Sequence, residues 1–246
     1  MEKLYKKSEI TFAIMLIIIY CILQSLANPL NELIGIEYLM SAVFCALQAV
    51  FIICFIKKNN LSEKYGLCKA KVPASRFFFY IPLLVLVTRN FWNGFSLNLP
   101  IADTACYLVC MLFVGFVEEI VFRGFLYKAM AKDNEKTAII VSSITFGLGH
   151  LLNLVNGSGA ELLENLFQVT GAIAIGFLFV IIFSRGGSLW PLILTHSLIN
   201  MTSAFANENG LSFAKELIFQ AVLILVSIAY SIIIIKALPK ENLNKE

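Results

Sequence analysis

The chain is expected to fold as an all-α, polytopic transmembrane helix bundle of about eight spans, and three observations point there. Hydrophobic residues make up 59% of its 246 residues and the mean hydropathy is +0.83, above the roughly 45–50% apolar content of soluble domains. The apolar residues come in long runs, each near the roughly 20 residues that cross a hydrocarbon core, at about 10–27, 37–56, 77–95, 104–123, 137–155, 165–183, 188–205 and 216–235. Of 19 Lys and Arg, only Arg89 and Lys215 fall outside when the N-terminus is placed in the cytoplasm, while Arg123 lies inside a span. That bias follows the positive-inside rule and puts both termini in the cytoplasm. Residues 1–246 then form a single integral membrane domain. The net charge of +3 reports topology and not a nucleic-acid partner.

The first span opens after Lys3, Lys6 and Lys7. Its end, Ser25-Leu26-Ala27, resembles a secretory cleavage site, but an apolar run of about 18 residues exceeds the 7–15 of a signal core, so the span is expected to be retained. Asn28-Pro29 should stop this helix. The second span ends at Lys57-Lys58, and the polar stretch to Arg76 is expected to be a solvated connector whose lysines also suit anionic lipid. Arg89, Asn90 and Asn93 interrupt the third span, and Phe91-Trp92 is an interface anchor. Ser143 with Gly147, and Ala172 with Gly176, form small-xxx-small pairs that let helices approach closely. Trp190-Pro191 places an anchor and a first-turn proline at the start of the seventh span. The six cysteines have neither metal nor disulfide spacing and serve as small apolar fillers. Lysine outnumbers arginine and isoleucine is abundant, a composition in keeping with an AT-rich prokaryotic genome, and the expected location is the plasma membrane of a prokaryote.

Against this background the stretch 115–124, GFVEEIVFRG, stands out. Ionisable groups are costly in hydrocarbon unless they face a protein interior and find partners. On a helix Glu119 and Arg123 are four apart and share a face, so they pair, whereas Glu118 lies about 100° round and has no local counter-ion. The two histidines of the chain follow. His150 closes Phe146-Gly-Leu-Gly-His150, and His196 opens His196-Ser-Leu-Ile-Asn200, where His and Asn again share one helical face. Nominal depths put Glu118 about 9 Å from the inner surface, His150 roughly 20 Å up and His196 roughly 12 Å up. Convergence therefore requires tilted helices.

Singly, each of these residues is ordinary interhelical glue. Together they suit amide hydrolysis. A glutamate and a histidine facing one water share its proton handling, and a second histidine with an asparagine amide donates to the oxyanion. Two other classes compete: a non-enzymatic immunity or scaffold protein that binds a peptide or sensor partner, and a transporter that relays protons. Many carriers show internal repeats, and none is visible in this sequence.

The three motifs Glu118-Glu119-x-x-x-Arg123, Phe146-x-x-x-His150 and His196-x-x-x-Asn200, in that order, resemble the CPBP intramembrane proteases. That family includes the type II CAAX prenyl endopeptidases and the bacteriocin-processing or self-immunity proteins of bacteria. The resemblance covers a core of about 104–205. It implies that Glu118 and His150 activate water, that His196 and Asn200 form the oxyanion hole, and that Glu119 and Arg123 give structural support. The partners it implies are the lipid bilayer and a membrane-associated peptide or protein substrate. The family is widely labelled metallopeptidase. A metal-free glutamate and histidine mechanism is expected here, because nothing resembles the two-histidines-on-one-helix zincin signature. Zinc held by Glu118, His150 and His196 is the alternative.

Overall fold

The computed structural model describes residues 1–155 and 161–238. Lys240 and Lys245, both counted on the inner side, lie outside the described residues. Regular structure among the described residues is helical, apart from one isolated antiparallel bridge between Phe95 and Ala206. Helix α1 (Glu2–Lys7) leads into α2 (Glu9–Ile34) and α3 (Leu39–Lys58). Helix α4 (Ile81–Val87) is flanked by 310 turns at Ala74–Tyr80 and Thr88–Phe91. Helix α5 (Ile101–Glu118) continues through a π-helical stretch, Glu119–Tyr127, into the single turn α6 (Lys128–Met130). Helix α7 (Glu135–Gly149) ends in a 310 turn, His150–Leu154, and α8 (Leu162–Gly186), α9 (Trp190–Ser203) and α10 (Phe213–Ala237) follow.

Among the described residues, six segments are long and apolar enough to cross a membrane: Glu9–Ile34, Leu39–Lys58, Ile101–Met130, Glu135–Leu154, Leu162–Gly186 and Phe213–Ala237. They coincide with six of the eight expected runs. The other two are less regular. In the run 77–95, Phe78, Phe79 and Tyr80 take left-handed backbone angles, which breaks the helix before α4 begins. Helix α9 has 14 residues, roughly 21 Å at 1.5 Å per residue and short of a roughly 30 Å core. It starts at Trp190 with Pro191 in its first turn, as expected of a residue that has no N–H to lose.

Side-chain caps fix several helix starts. Ser8 Oγ accepts from the Thr11 amide at 3.1 Å, and Asn134 Oδ1 accepts from the Thr137 amide at 3.0 Å, each contributing about 1 kcal/mol. Asn28-Pro29 does not stop the first long helix. α2 carries Pro29 inside it and ends at Gly35, whose φ of 76° suits glycine. The last turn holds because buried Asn31 ties it to α3: its Nδ2 donates to Ser41 Oγ at 3.2 Å and its Oδ1 accepts from the Met40 amide at 2.7 Å.

The expected solvated connector after Lys58 is another correction. Tyr65 is fully buried, the Leu189 amide donates to the Gly66 carbonyl at 2.8 Å, the Lys71 amide donates to Gly186 at 2.9 Å, and Ser188 Oγ donates to Cys68 at 2.7 Å. This stretch is therefore docked onto the α8–α9 turn through backbone groups, which composition does not reveal.

Small residues set the helix spacing around the site. A Cβ on Gly176 would lie 3.2 Å from the Ser143 carbonyl oxygen, and one on Gly147 would lie 3.0 Å from the Ile173 amide. The small-xxx-small pairs thus bring α7 against α8. Gly115 does the same for α5 and α9, since a Cβ there would fall 2.7 Å from the Ser197 amide nitrogen. Away from these contacts, Ile14, Ile18, Ile22 and Leu26 recur every four residues along α2 and are each about half exposed. They form an apolar stripe suited to lipid.

Candidate active site

The α5 helix and its π continuation run through the middle of the bundle, and every residue from 114 to 127 is buried. The change from α to π falls between Glu118 and Glu119. Such segments are rare and recur at functional sites. Ser142 on α7 donates to the Phe122 carbonyl inside the π stretch at 2.9 Å, so a neighbouring helix satisfies part of the altered backbone.

Glu119 and Arg123 pair as expected, with Nη1 donating to Glu119 Oε1 at 3.1 Å and both side chains at 0% exposure. Among the described residues, Arg123 Nε and Nη2 have no hydrogen-bond partner. The guanidinium carbon instead lies 3.9 Å from the centre of the Phe146 ring and 5.8 Å from that of Phe179, where the ring faces supply cation–π attraction. Glu119 has a second duty: its Oε1 also meets His196 Nδ1 at 2.8 Å. A carboxylate only accepts, so Nδ1 carries the hydrogen and Nε2 is turned toward the other glutamate.

Glu118 is not partnerless, although its own helix offers it nothing. Tyr20, on α2, donates its hydroxyl to Glu118 Oε1 at 2.6 Å. The other oxygen, Oε2, lies 3.5 Å from His196 Nε2 and has no hydrogen bond from any described residue. His196 was expected to work with Asn200; the structure ties its ring first to the glutamate pair.

His150 opens the 310 turn that ends α7. Asn165 Nδ2 holds that turn through the His150 carbonyl at 2.8 Å. The imidazole packs edge-on to Phe146, with ring centres 5.5 Å apart, and lies within electrostatic reach of Glu118, His196 and Arg123. On α9, the Asn200 backbone carbonyl accepts from the Tyr107 hydroxyl at 3.2 Å and from Ser203 Oγ at 2.7 Å, and the residue lines the cavity described next.

That cavity measures about 810 Å³, and Glu118, His150, His196 and Asn200 all line it together with Tyr20. Glu119 and Arg123 stand behind its wall. The four residues singled out from the sequence as chemical groups therefore converge despite their unequal nominal depths, and the two expected to support them do not reach the open space. Tyr20 was missed. Its signal lay in the polar series Tyr20, Gln24 and Asn28, spaced four apart opposite the lipid-facing stripe of α2, and all three line the cavity.

A glutamate and histidine cluster thus lines a cavity inside an apolar helix bundle. Residues 100–202 match the family model described as type II CAAX prenyl endopeptidase Rce1-like. Over that stretch the chain is similar to those endopeptidases, and the resemblance carried by the three motifs is borne out. No curated protein matches the chain. The chain is an integral membrane protein, and its residues 100–202 are similar to a protease family. Among the described residues, no group of three or more His, Cys, Asp or Glu side chains is arranged to hold a metal ion.

Proposed function

We propose that the chain is an intramembrane endopeptidase that cleaves a peptide bond of a membrane-associated protein or peptide with a water activated by Glu118 and His150. The observation that carries this reading is the division of labour at Glu118. Its Oε1 is fixed by Tyr20, while its Oε2 takes no hydrogen bond from any described residue and lies in a cavity shared with His150, His196 and Asn200. Glu118 Oε2 takes a proton from the water, whose oxygen bonds to the scissile carbonyl carbon. The proton then passes to the leaving amine nitrogen, with His150 as the second acid–base group, and the C–N bond breaks. The Asn200 amide and His196 Nε2, the latter when it carries a proton, donate to the oxyanion formed in between. Glu119 keeps His196 turned for this by holding Nδ1.

The substrate class extends to CAAX-type proteins or to bacteriocin and leader peptides, with self-immunity as one cellular role and a prokaryotic plasma membrane as the setting. Both termini face the cytoplasm in this reading. Reporter fusions after Lys58, Lys132 and Lys236 should all report cytoplasm, and an outside signal from any of them would overturn that topology.

The decisive experiment is Glu118→Gln, which keeps size and hydrogen bonding but removes the base. It should fold normally and lose cleavage, as should His150→Ala, while Asn200→Ala should keep a rate reduced by about 10²–10³. If the first two variants fold and retain full biological activity, the protein acts by binding, as an immunity or scaffold protein would.

A further inference from the structure

The cavity that holds Glu118 and His150 draws on one end of the bundle only. Asn28 near the end of α2, Ser41 at the start of α3, Asn153 just past α7, Glu164 and Gln168 at the start of α8 and Glu216 at the start of α10 all line it. In a bundle of alternating spans these ends lie on one side. Glu164 and Gln168 are exposed, so the cavity reaches the surface there. Its deepest lining residues on α5 and α8 are Phe122 and Phe179, and among the described residues none from 1–16, 42–88, 123–144, 180–195 or 224–238 takes part.

Those excluded segments carry every described Lys and Arg except Arg89 and Lys215. The cavity and the basic residues therefore occupy opposite ends of the molecule. The basic end is also packed shut. The Phe125 ring lies 4.4 Å from the Tyr65 ring and 5.2 Å from that of Phe12, centre to centre, and the connector after Lys58 closes over the α8–α9 turn through its backbone bonds to Gly186 and Leu189. Basic loops stay in the cytoplasm, which turns the open end of the cavity to the outer face.

We propose that the site takes its substrate from the outer face of the membrane, as an extended segment of an exported polypeptide. From Tyr107, the outermost lining residue of α5, to Glu118 is roughly 16 Å along the helix. About five residues of extended chain, at roughly 3.3 Å each, span that depth. A short unfolded peptide, or a stretch beside an outer membrane anchor, meets this requirement. A prenylated C-terminus in the cytoplasm lies on the wrong side of the bilayer. This deepens the endopeptidase reading and rests on it for the reaction; the orientation rests separately on the charge bias.

The test uses right-side-out and inside-out vesicles made from bacterial membranes that contain the full-length protein. In one arm a membrane-impermeant maleimide is applied to Gln168→Cys, at the cavity mouth, and to Lys69→Cys, at the closed end, each read above the labelling of the six native cysteines. Gln168→Cys should label in right-side-out vesicles and lose that labelling in inside-out ones, and Lys69→Cys should do the reverse. Glu164→Cys provides a second mouth position should Gln168→Cys fold poorly. In the other arm a mixture of short synthetic peptides of varied sequence is added outside the same vesicles, with wild type or Glu118→Gln, and cleavage is read by mass spectrometry. Cleavage that is lost in Glu118→Gln should occur with right-side-out vesicles and be absent with inside-out ones. Labelling of the mouth position in inside-out vesicles, or Glu118-dependent cleavage there, would overturn the proposal and turn the site to the cytoplasm. If the mouth labels from outside but neither preparation shows Glu118-dependent cleavage, the outward-facing cavity stands and the endopeptidase reading fails.

Discussion

Two clusters of charge cross-link this bundle, and they do opposite things with the same residue types. At one end Glu9 on α2 accepts from Lys64 at 2.6 Å and from Lys132 at 2.8 Å, and Lys64 also donates to the Tyr5 hydroxyl at 2.7 Å. Each cation there has an anion, and Lys132 keeps 56% of its side chain exposed. In the bundle interior the side chains of Glu118, Glu119, Arg123 and His196 are 0–10% exposed. Arg123 pairs with Glu119 alone, His196 lies against both glutamates, and one oxygen of Glu118 is left over in a cavity. The first cluster is a latch whose charges are matched and wetted. The second keeps its mismatch buried, at a cost in stability, and so retains a polar atom with which to act.

The sharpest way to break this comparison is to remove one charged partner from each cluster. Glu119→Ala strands a fully buried arginine and should cost roughly 3–5 kcal/mol, seen as poor expression or a large fall in Tm. Lys64→Met removes a partly exposed pair and should cost about 1 kcal/mol or less. Burial alone would lower the Lys64 pKa, but its bonds to Glu9 and Tyr5 outweigh that and leave it raised. A raised lysine contributes fully below its unfolded pKa of about 10.4 and loses that contribution only as pH rises through the still higher folded value. The Lys64→Met deficit should accordingly be the same at pH 6 and pH 9. Comparable losses for the two variants would erase the distinction between latch and site.

A smaller effect sharpens the account of the site. Tyr20→Phe removes the hydroxyl that fixes Glu118 Oε1 but keeps the ring. One neutral-to-charged hydrogen bond of about 1.5 kcal/mol corresponds to roughly a tenfold fall in kcat, with KM little changed because Tyr20 acts on the glutamate and not on the substrate. A wild-type kcat in a normally folded Tyr20→Phe protein would reduce Tyr20 to a lining residue.

What the sequence made legible follows from how local each signal is. Glu119 and Arg123 share one helix, so their pairing could be read from a spacing of four, and the same spacing placed His196 and Asn200 on the face of α9 that lines the cavity. The partners of Glu118 could not, because Tyr20 is 98 residues away and nothing within its own turn names what it faces across the bundle. The same limit applies to Tyr65. It follows two polar residues in a lysine-bearing connector, yet it is buried because its hydroxyl meets Tyr5 at 2.7 Å. Pro29 misled for a related reason: a proline is a local stop signal, and it was overridden by Asn31 bonding to the next helix. The eight-run pattern was right about where apolar residues collect. It could not show that Phe78, Phe79 and Tyr80 would break one run by adopting left-handed angles, which are uncommon for residues other than glycine.

The smallest effect is expected from chelation, and it bears on the site cluster alone. Most of the atoms that would serve a metal already address protein groups: Glu118 Oε1 faces Tyr20, and His196 Nδ1 faces Glu119. What remains between Glu118 and His196 is Oε2 and Nε2, 3.5 Å apart. A zinc ion with three protein ligands would need both of these and His150 at about 2.0–2.2 Å. If Glu118 and His150 work on water without a metal, exhaustive chelation of the purified protein should leave the cleavage rate unchanged, and metal analysis should find no stoichiometric zinc. Activity lost on chelation and restored by zinc but not by magnesium would transfer the water to a metal held by Glu118, His150 and His196. Glu119 would then orient a metal-binding imidazole through Nδ1, the arrangement in which a carboxylate raises the basicity of a ligating histidine. The latch at Glu9 offers a control within the same molecule, since chelation should leave its contribution to Tm untouched under either outcome.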